Sequence, residues 1–205
     1  MDFAVSPSFL AWTRSVPARG VITLLHRQGI SRAELRSSQD PVRARYRDDA
    51  ASARATLEAK ATLEDGVTCS LNTALGRVTA GLHKSTGGDG SLACSGDMLL
   101  EALAACAGVT LLAVATAMEI EVRSGSVHVE GDLDWRGTLG MDRQVPVGFS
   151  EIRLRFELDA DASEQQLDRL LQSSERYCVV YQTLAHSPRM QVSLTTAEDP
   201  VSSAR

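Results

Sequence analysis

The residues of this 205-residue chain most suited to chemistry are four cysteines, at positions 69, 94, 106 and 178. A thiol acts as a nucleophile only as its thiolate, which requires positive charge or hydrogen-bond donors nearby. None of the four belongs to a Cys-x-x-Cys pair, and they are too few and too scattered for a disulfide scaffold. We therefore expect no metal ion and no bound cofactor, and each thiol is either a small buried side chain or a reactive group.

Two of the cysteines stand out because of their neighbours in sequence. Cys106 lies within the apolar stretch EALAACAGVTLLAVATAM, residues 101–118, and Asp97 precedes it by about two and a half helical turns. Cys178 follows the charged pair Glu175 and Arg176. Cys69, in a short predicted strand, and Cys94, in a Gly/Ser loop, favour a structural interpretation. Spacing alone does not show whether Cys106 and Cys178 meet.

The apolar stretch around Cys106 predicts a long helix from about Asp97 to Met118. It is short for a membrane span, is rich in alanine, and has acidic residues rather than arginine or lysine at its ends. Apolar residues on all sides instead indicate a helix buried on nearly every face. A chain of this size cannot easily cover such a helix alone, so we expect a homodimer or another homo-oligomer and no membrane association.

Alternating and helical patterns along the chain predict an α+β fold. Alternation predicts strands near 55–66, 66–72 and 76–83, then at 125–137 and 148–160, with a final strand at 189–197. Ser163 is a predicted N-cap for a helix that ends near Cys178. A Gly/Ser-rich loop over 84–96 connects the first strands to the long helix.

Residues 1–50 read as an N-terminal extension, and residues 51–205 as the main domain. Within the extension, 20–38 has helical spacing. Asp40 and Pro41 are the predicted N-cap and first residue of a second helix over 40–55.

The N-terminus lacks a secretory signal pattern, which favours the cytoplasm. The net charge of −5 and the scarcity of aromatic residues argue against a nucleic-acid-binding surface.

Taken together, the two cysteine segments resemble the osmotically inducible protein C and organic hydroperoxide resistance family, OsmC/Ohr. The first segment, SGDMLLEALAACAGVTLLAVA, is similar to the family's central helix, in which an acidic residue precedes a Leu/Ala stretch that ends in Ala-Ala-Cys. The second, SERYCVVYQTL, is similar to the family's second cysteine segment. The likeness extends over about residues 53–197.

The resemblance implies antiparallel sheets packed around a long central cysteine-bearing helix, in an intertwined homodimer with active sites at the subunit interface. It implies a thiol-dependent peroxidase that protects against oxidative stress by reducing organic or fatty-acid hydroperoxides. Cys106 would be the peroxidatic cysteine and Cys178 the resolving cysteine, with an external dithiol protein as reductant. Asp97 occupies the place of the family's acidic residue, which holds an arginine near the reactive sulfur.

The sequence departs from the family pattern at two places. Where the arginine should fall, GLHKSTGGDG offers His83 and Lys84, so these are the candidate positive groups for the site. Where the family has proline after its second cysteine, this chain has Val179. Two alternatives to the peroxidase therefore stay open: a dimeric binding protein for a small hydrophobic ligand, and a thiol redox sensor that signals through the N-terminal segment.

Overall fold

The structure is a computed structural model and describes residues 29–74 and 76–196. Within these ranges the chain forms helices and antiparallel strands in an α+β arrangement. The elements, in chain order, are α1 (Arg32–Asp48), β1 (Ala61–Glu64), β2 (Thr68–Thr73), β3 (Gly76–Ala80), α2 (Ser95–Met118), β4 (Glu121–Leu133), α3 (Trp135–Thr138), β5 (Phe149–Asp161), α4 (Glu164–Tyr177) and α5 (Val179–Ala185). One-turn 3-10 helices occupy Ala50–Ala53 and Lys84–Thr86.

Helix α1 joins the end of the predicted 20–38 helix to the start of the predicted 40–55 helix, and it runs through Pro41. Ser31 is the N-cap, and Ser31 and Glu34 form a capping box that satisfies two free donors at this end. Pro41 lies inside the helix, so the prediction that Asp40 and Pro41 begin a second helix is wrong. The part of the predicted 20–38 helix before residue 29 lies outside the described residues. Arg32 forms an ion pair with Glu119 at the end of α2, at 2.7 Å, which ties the start of α1 to the domain.

A three-stranded antiparallel sheet, in the order β1-β2-β3, precedes the long helix. The predicted first strand over 55–66 is shorter in the structure, because only the residues of β1 pair with β2. The chain then returns alongside β3: the backbone N–H of Gly81 donates to the Ala93 carbonyl at 3.0 Å, and that of Ala93 donates to the Thr79 carbonyl at 3.2 Å. These bonds fix the point from which α2 starts.

Helix α2 is the central element and packs against β4, α4 and α5. Its buried residues follow one stripe at helical spacing: Leu103, Ala107, Leu111 and Ala115. The opposite face is open in the single chain, where Val109 is 71% and Leu112 53% exposed. One protomer therefore buries only one stripe of α2, and burial on nearly every side, which is expected to need a second subunit, stays a prediction. By length and composition α2 could cross a membrane, a test that the core helix of a soluble protein also passes.

Strands β4 and β5 form a long antiparallel hairpin whose inner face completes the core. Inward-facing side chains of the hairpin pack against the buried stripe of α2; they include Val127, Val129, Ile152, Leu154 and Phe156. The outer face carries charged pairs such as Arg153 with Asp132 and Arg123 with Asp159. These pairs are exposed to solvent and contribute little to the free energy of unfolding.

The C-terminal part of the fold differs from the sequence prediction in two ways. Helix α5, directly after Cys178, is not predicted at all. The predicted last strand over 189–197 is absent from its described part, 189–196, which has no regular structure. A strand requires a neighbour for its backbone groups, and none of the described strands pairs with this segment. Its apolar side chains Met190, Val192 and Leu194 are exposed.

Candidate active site

Two of the four cysteines meet in the core although they lie 72 residues apart in sequence. Cys106 lies in the middle of α2, and Cys178 lies at the junction between α4 and α5. Cys106 packs against the core cluster that holds Cys178, and both thiols are free. Cys178 is 1% exposed, whereas Cys106 is half-buried. The pair therefore has one fully buried cysteine and one cysteine that is partly exposed to solvent.

The α4–α5 junction is built so that Cys178 points into the core. The backbone N–H of Cys178 donates to the Ser174 carbonyl at 3.0 Å and ends α4, and Cys178 is also the N-cap of α5. The side-chain amide of Gln182 donates to the Glu175 carbonyl at 2.9 Å, which links the two helices across the bend. Leu103 and Ala107 of α2 pack against the Cys178 side chain.

The surroundings of Cys106 change the pKa of its thiol. Burial by itself would raise the pKa of the Cys106 thiol, but the donors around it outweigh burial and lower that pKa below its ordinary value. The largest favourable contribution comes from the backbone N–H of Val180, followed by the Cys178 thiol, the Thr110 hydroxyl and the backbone N–H of Val179. A donor to the sulfur stabilises the thiolate more than the thiol. Cys106 is thus the more readily ionised sulfur of the pair.

The pKa of Cys178 shifts in the opposite direction. Burial raises it, and the neighbouring Cys106 raises it further, because a second thiolate beside the first would be repelled. The backbone N–H of Tyr181 contacts the Cys178 sulfur at 3.5 Å but does not offset these effects. Cys178 therefore stays protonated while Cys106 ionises.

The structure does not bring the predicted charged residues to Cys106 within one chain. The His83 ring stacks on the Trp135 ring with centroids 4.7 Å apart, and its Nδ1 accepts a hydrogen bond from the Ser85 backbone N–H at 3.0 Å. Lys84 lies in the turn that follows and is not among the groups that contact the sulfur. Asp97 is exposed in the first turn of α2, and nine residues of helix place it about 13.5 Å along the axis from Cys106. Their roles stay predictions.

The remaining cysteines lie elsewhere. Cys69 is in β2, opposite Ala80 of β3, and Cys94 is the N-cap of α2 without a side-chain capping bond. Neither is among the groups in contact with Cys106 or Cys178. Among the described residues, no group of three or more His, Cys, Asp or Glu side chains is placed to hold a metal ion.

An open cavity of about 460 Å³ lies between β5 and the α4–α5 pair. Leu103, Tyr181 and Leu184 line it and also pack in the core cluster that holds Cys178. Its remaining wall is mostly apolar and comes from β5, with the carboxylates of Glu151 and Glu175 also in the lining. The cavity is large enough for a small hydrophobic molecule.

Three groups of the site are missing from the sequence prediction: the backbone N–H groups of Val179 and Val180, and the Thr110 hydroxyl. Backbone donors leave no mark in a sequence, although one clue exists at Val179. The family resemblance implies proline there, and valine has an N–H that proline lacks. The signal for Thr110 is its position one helical turn after Cys106, on the same face of α2.

The family model of OsmC-like proteins matches residues 88–193, just over half of the chain. The chain belongs to the OsmC-like protein family. The matched range contains all of α2, both cysteines of the pair and the hairpin between them. No curated protein matches the chain.

Solved structures of OsmC-like proteins share the fold at low identity. An OsmC-like protein from Mycoplasma pneumoniae has a TM-score of 0.54 and 22% identity, over 65% of this chain and 89% of that one. An organic hydroperoxide resistance protein OsmC from Legionella pneumophila, described as a predicted redox protein, has a TM-score of 0.51 and 17% identity, over 65% and 93%. At these identities the likeness establishes the fold.

Proposed function

We propose that this OsmC-like protein is a thiol-dependent peroxidase that reduces organic hydroperoxides through Cys106 and Cys178. The observation that carries the proposal is the contact between two free thiols whose pKa values shift in opposite directions. A thiolate that a small molecule can reach, beside a sealed and protonated thiol, is the arrangement that a two-cysteine peroxidase needs. The Legionella pneumophila neighbour, described as an organic hydroperoxide resistance protein, agrees with it.

In the first step, the Cys106 thiolate attacks the hydroxyl oxygen of the hydroperoxide. The sulfur–oxygen bond forms as the oxygen–oxygen bond breaks, and Cys106 becomes a sulfenic acid. The alkoxide leaves with the bonding electron pair and takes a proton from water to become the alcohol. The N–H groups of Val179 and Val180 hold the sulfur in its thiolate form before the attack.

In the second step, the Cys178 sulfur attacks the sulfenic sulfur and a disulfide forms. The sulfenic oxygen leaves as hydroxide and combines with the proton of the Cys178 thiol, so that one water is released. The raised pKa of Cys178 keeps that proton available until this point. An external dithiol then reduces the disulfide by thiol–disulfide exchange and is itself oxidised. No metal or bound cofactor is needed, and a reducing compartment such as the cytoplasm would supply the dithiol.

Peroxide consumption with matched cysteine variants tests the proposal. The wild-type protein should consume cumene hydroperoxide when dithiothreitol is present. Cys106→Ser should abolish turnover, and Cys178→Ser treated with peroxide without dithiothreitol should stop after one equivalent, with Cys106 held as a sulfenic acid that a dimedone probe labels. Cys94→Ser is the matched control, because Cys94 lies outside the pair and serine is a good N-cap residue. Wild-type protein that consumes no peroxide, or a Cys106→Ser variant that retains turnover, would contradict the proposal.

We further propose that the active form is a homodimer. Apolar side chains are exposed on three parts of the protomer: the outer face of α2, the three-stranded sheet and the extended segment after α5. The most exposed on each part are Val109 of α2 at 71%, Leu63 of the sheet at 86% and Val192 of the extended segment at 95%. Neither of the buried core clusters includes a residue of β1. Exposed apolar surface on this scale is typical of a subunit interface.

Light scattering of the wild type and of a Val109→Glu, Leu112→Glu double variant tests the dimer. Both side chains lie on the open face of α2, so buried carboxylates would oppose association there. The wild type should have twice the mass of the chain, and the double variant the mass of one chain. Leu167→Glu in α4, a 37% exposed position away from that face, controls for the added charge. A monomeric wild type would refute the proposal.

The second candidate function is that of a binding protein for a small neutral hydrophobic ligand. The open cavity of about 460 Å³ favours it. The Cys106→Ser variant distinguishes the two functions. A binding protein would keep its affinity for an apolar fluorescent probe in this variant, whereas a peroxidase would lose its turnover of hydroperoxide. Leu154→Trp, which would fill the cavity from β5, should remove probe binding in either case.

A further inference from the structure

The open cavity between β5 and the α4–α5 pair combines an apolar wall with two acidic side chains. The wall includes Leu103 of α2 and the inward-facing Ile152 and Leu154 of β5. Glu151, near the start of β5, and Glu175, in the last turn of α4, are the acidic residues of its lining. None of the described residues that line the cavity is a lysine, an arginine or a histidine. A ligand there meets apolar side chains and two negative charges, with no positive charge in the lining.

Glu175 is the more enclosed of the two acidic residues. It is half-buried, and among the described residues its carboxylate has no ion-pair partner. Its backbone carbonyl accepts the Gln182 amide at 2.9 Å, which fixes this turn of α4 beside the cavity. The neighbouring Arg176 does not line the cavity, and its guanidinium lies over the Tyr177 ring, 5.8 Å from the ring centroid. The charge of Glu175 is therefore not neutralised by a neighbouring side chain.

Glu151 has a counter-ion, but it shares that counter-ion with other carboxylates. Its carboxylate lies 3.4 Å from Nη1 of Arg153, and the same guanidinium pairs with Glu130 and Asp132. Three carboxylates around one guanidinium leave a net negative charge at this rim of the cavity. The group is also exposed to solvent, which weakens each of its ion pairs.

We propose that Glu151 and Glu175 are specificity-determining residues of this cavity, which admits neutral apolar molecules and excludes those that carry a carboxylate. A carboxylate that enters loses part of its hydration, gains no positive partner from the lining and is repelled by two like charges. A neutral molecule of the same shape gains from the burial of its apolar surface without this electrostatic cost. The inference rests on the proposed binding function and narrows the class of ligand.

The same selection by charge applies to the substrate of the proposed peroxidase. Leu103, Tyr181 and Leu184 line the cavity and also pack in the cluster that contains Cys178 and contacts Cys106, so the cavity adjoins the cysteine pair. A hydroperoxide bound in the cavity lies beside both carboxylates. Neutral hydroperoxides such as cumene hydroperoxide would then be better substrates than the anionic fatty-acid hydroperoxides that the family resemblance implies.

The test uses dodecanol and dodecanoate, two ligands that share one alkyl chain and differ in charge. Each displaces the neutral fluorescent probe N-phenyl-1-naphthylamine from the full-length protein, and the concentration for half displacement is measured. The double variant Glu151→Gln, Glu175→Gln should bind dodecanoate about three- to tenfold more tightly than the wild type and dodecanol equally well. The double variant Glu157→Gln, Glu164→Gln removes two carboxylates outside the lining and is the matched control, in which neither affinity should change.

Leu154→Trp fills the cavity and should remove the probe, which locates its binding site. A structural defect in the cavity variant would weaken both ligands, whereas loss of the carboxylates changes the affinity for the anion alone. Equal dodecanoate affinities in the wild type and the cavity variant, or an equal gain in the control, would overturn the inference while dodecanol binding still supports the binding function. Because the assay contains no peroxide, the expected gain in a protein that consumes no hydroperoxide would support the selection by charge and refute only the peroxidase.

Discussion

Replacing Val179 by proline removes one donor from the reactive sulfur with little change elsewhere. Val179 is the first residue of α5, its N–H has no acceptor inside that helix, and it is one of the groups that lower the pKa of the Cys106 thiol. Proline is well tolerated at the first position of a helix. The preceding residue, Cys178, has an extended backbone with φ −75° and ψ 107°, which is compatible with a following proline. The Val179 side chain is 70% exposed, so little packing is lost.

The size of the effect follows from the donors that remain. A hydrogen bond to a charged group contributes about 1.5 to 3 kcal/mol. The Cys106 thiolate keeps the Val180 N–H, the Cys178 thiol and the Thr110 hydroxyl in Val179→Pro, and the Val179 N–H is the smallest of these contributions, so we take a value below that range. About 0.7 kcal/mol corresponds to half a pKa unit, which lowers the thiolate fraction at neutral pH about threefold. Peroxide consumption should fall by the same factor.

The assay is the pH dependence of Cys106 alkylation, with Val179→Ala as the matched control. Val179→Ala keeps the N–H and shortens the same exposed side chain, so its alkylation midpoint should equal that of the wild type. Circular dichroism and thermal unfolding establish that both variants keep their helices. If Val179→Pro is folded and its midpoint equals that of Val179→Ala, the N–H of Val179 is not a donor to the thiolate and the reasoning is refuted.

Three further predictions follow from the site and the core. Limited iodoacetamide near neutral pH should modify Cys106 before Cys178, because donors lower the pKa of the first and burial raises that of the second; equal labelling of the two native thiols, read by mass spectrometry, would contradict this. Leu170→Ala should lower the free energy of unfolding by about 2 to 5 kcal/mol, since Leu170 is fully buried between α4 and α2; urea denaturation measures it. If Lys84 serves the Cys106 of the partner subunit, mixing inactive Cys106→Ser and inactive Lys84→Ala proteins should restore about a quarter of wild-type activity through mixed dimers, and no recovery after subunit exchange would exclude that role.

The sequence predicts the helices and strands that carry their own periodicity. The long helix around Cys106 and the helix capped by Ser163 both occur close to their predicted limits, because apolar spacing and a capping residue define them locally. The predicted last strand over 189–197 is not found in its described part. Alternation of apolar and polar residues shows which side chains would share a face, but it does not show whether a neighbouring strand is available to pair with. Pro41 is accommodated within α1, whose Ser31 capping box sets the start of the helix upstream.

The candidate site could be predicted only in part, for a related reason. Residue types single out Cys106 and Cys178, but their contact depends on how α4 and α5 bend around Cys178, which no local pattern specifies. The search for a positive partner among side chains led to His83 and Lys84. In the protomer the donors include two backbone N–H groups, which every residue except proline has. Such donors become visible only once the fold places them at the sulfur.

The position of Cys106 on α2 links peroxide access to the proposed dimer. Cys106 adjoins the buried Ala107 on one side and the exposed Ala105 on the other, so its sulfur lies at the edge of the core. A second subunit that covers the outer face of α2, around Val109, would pass close to that sulfur. The interface must then leave an opening for a hydroperoxide, and the partner must form part of its wall. Because the substrate would bind against surfaces of both chains, separating the subunits should weaken peroxide binding even where the donors to the Cys106 thiolate are intact.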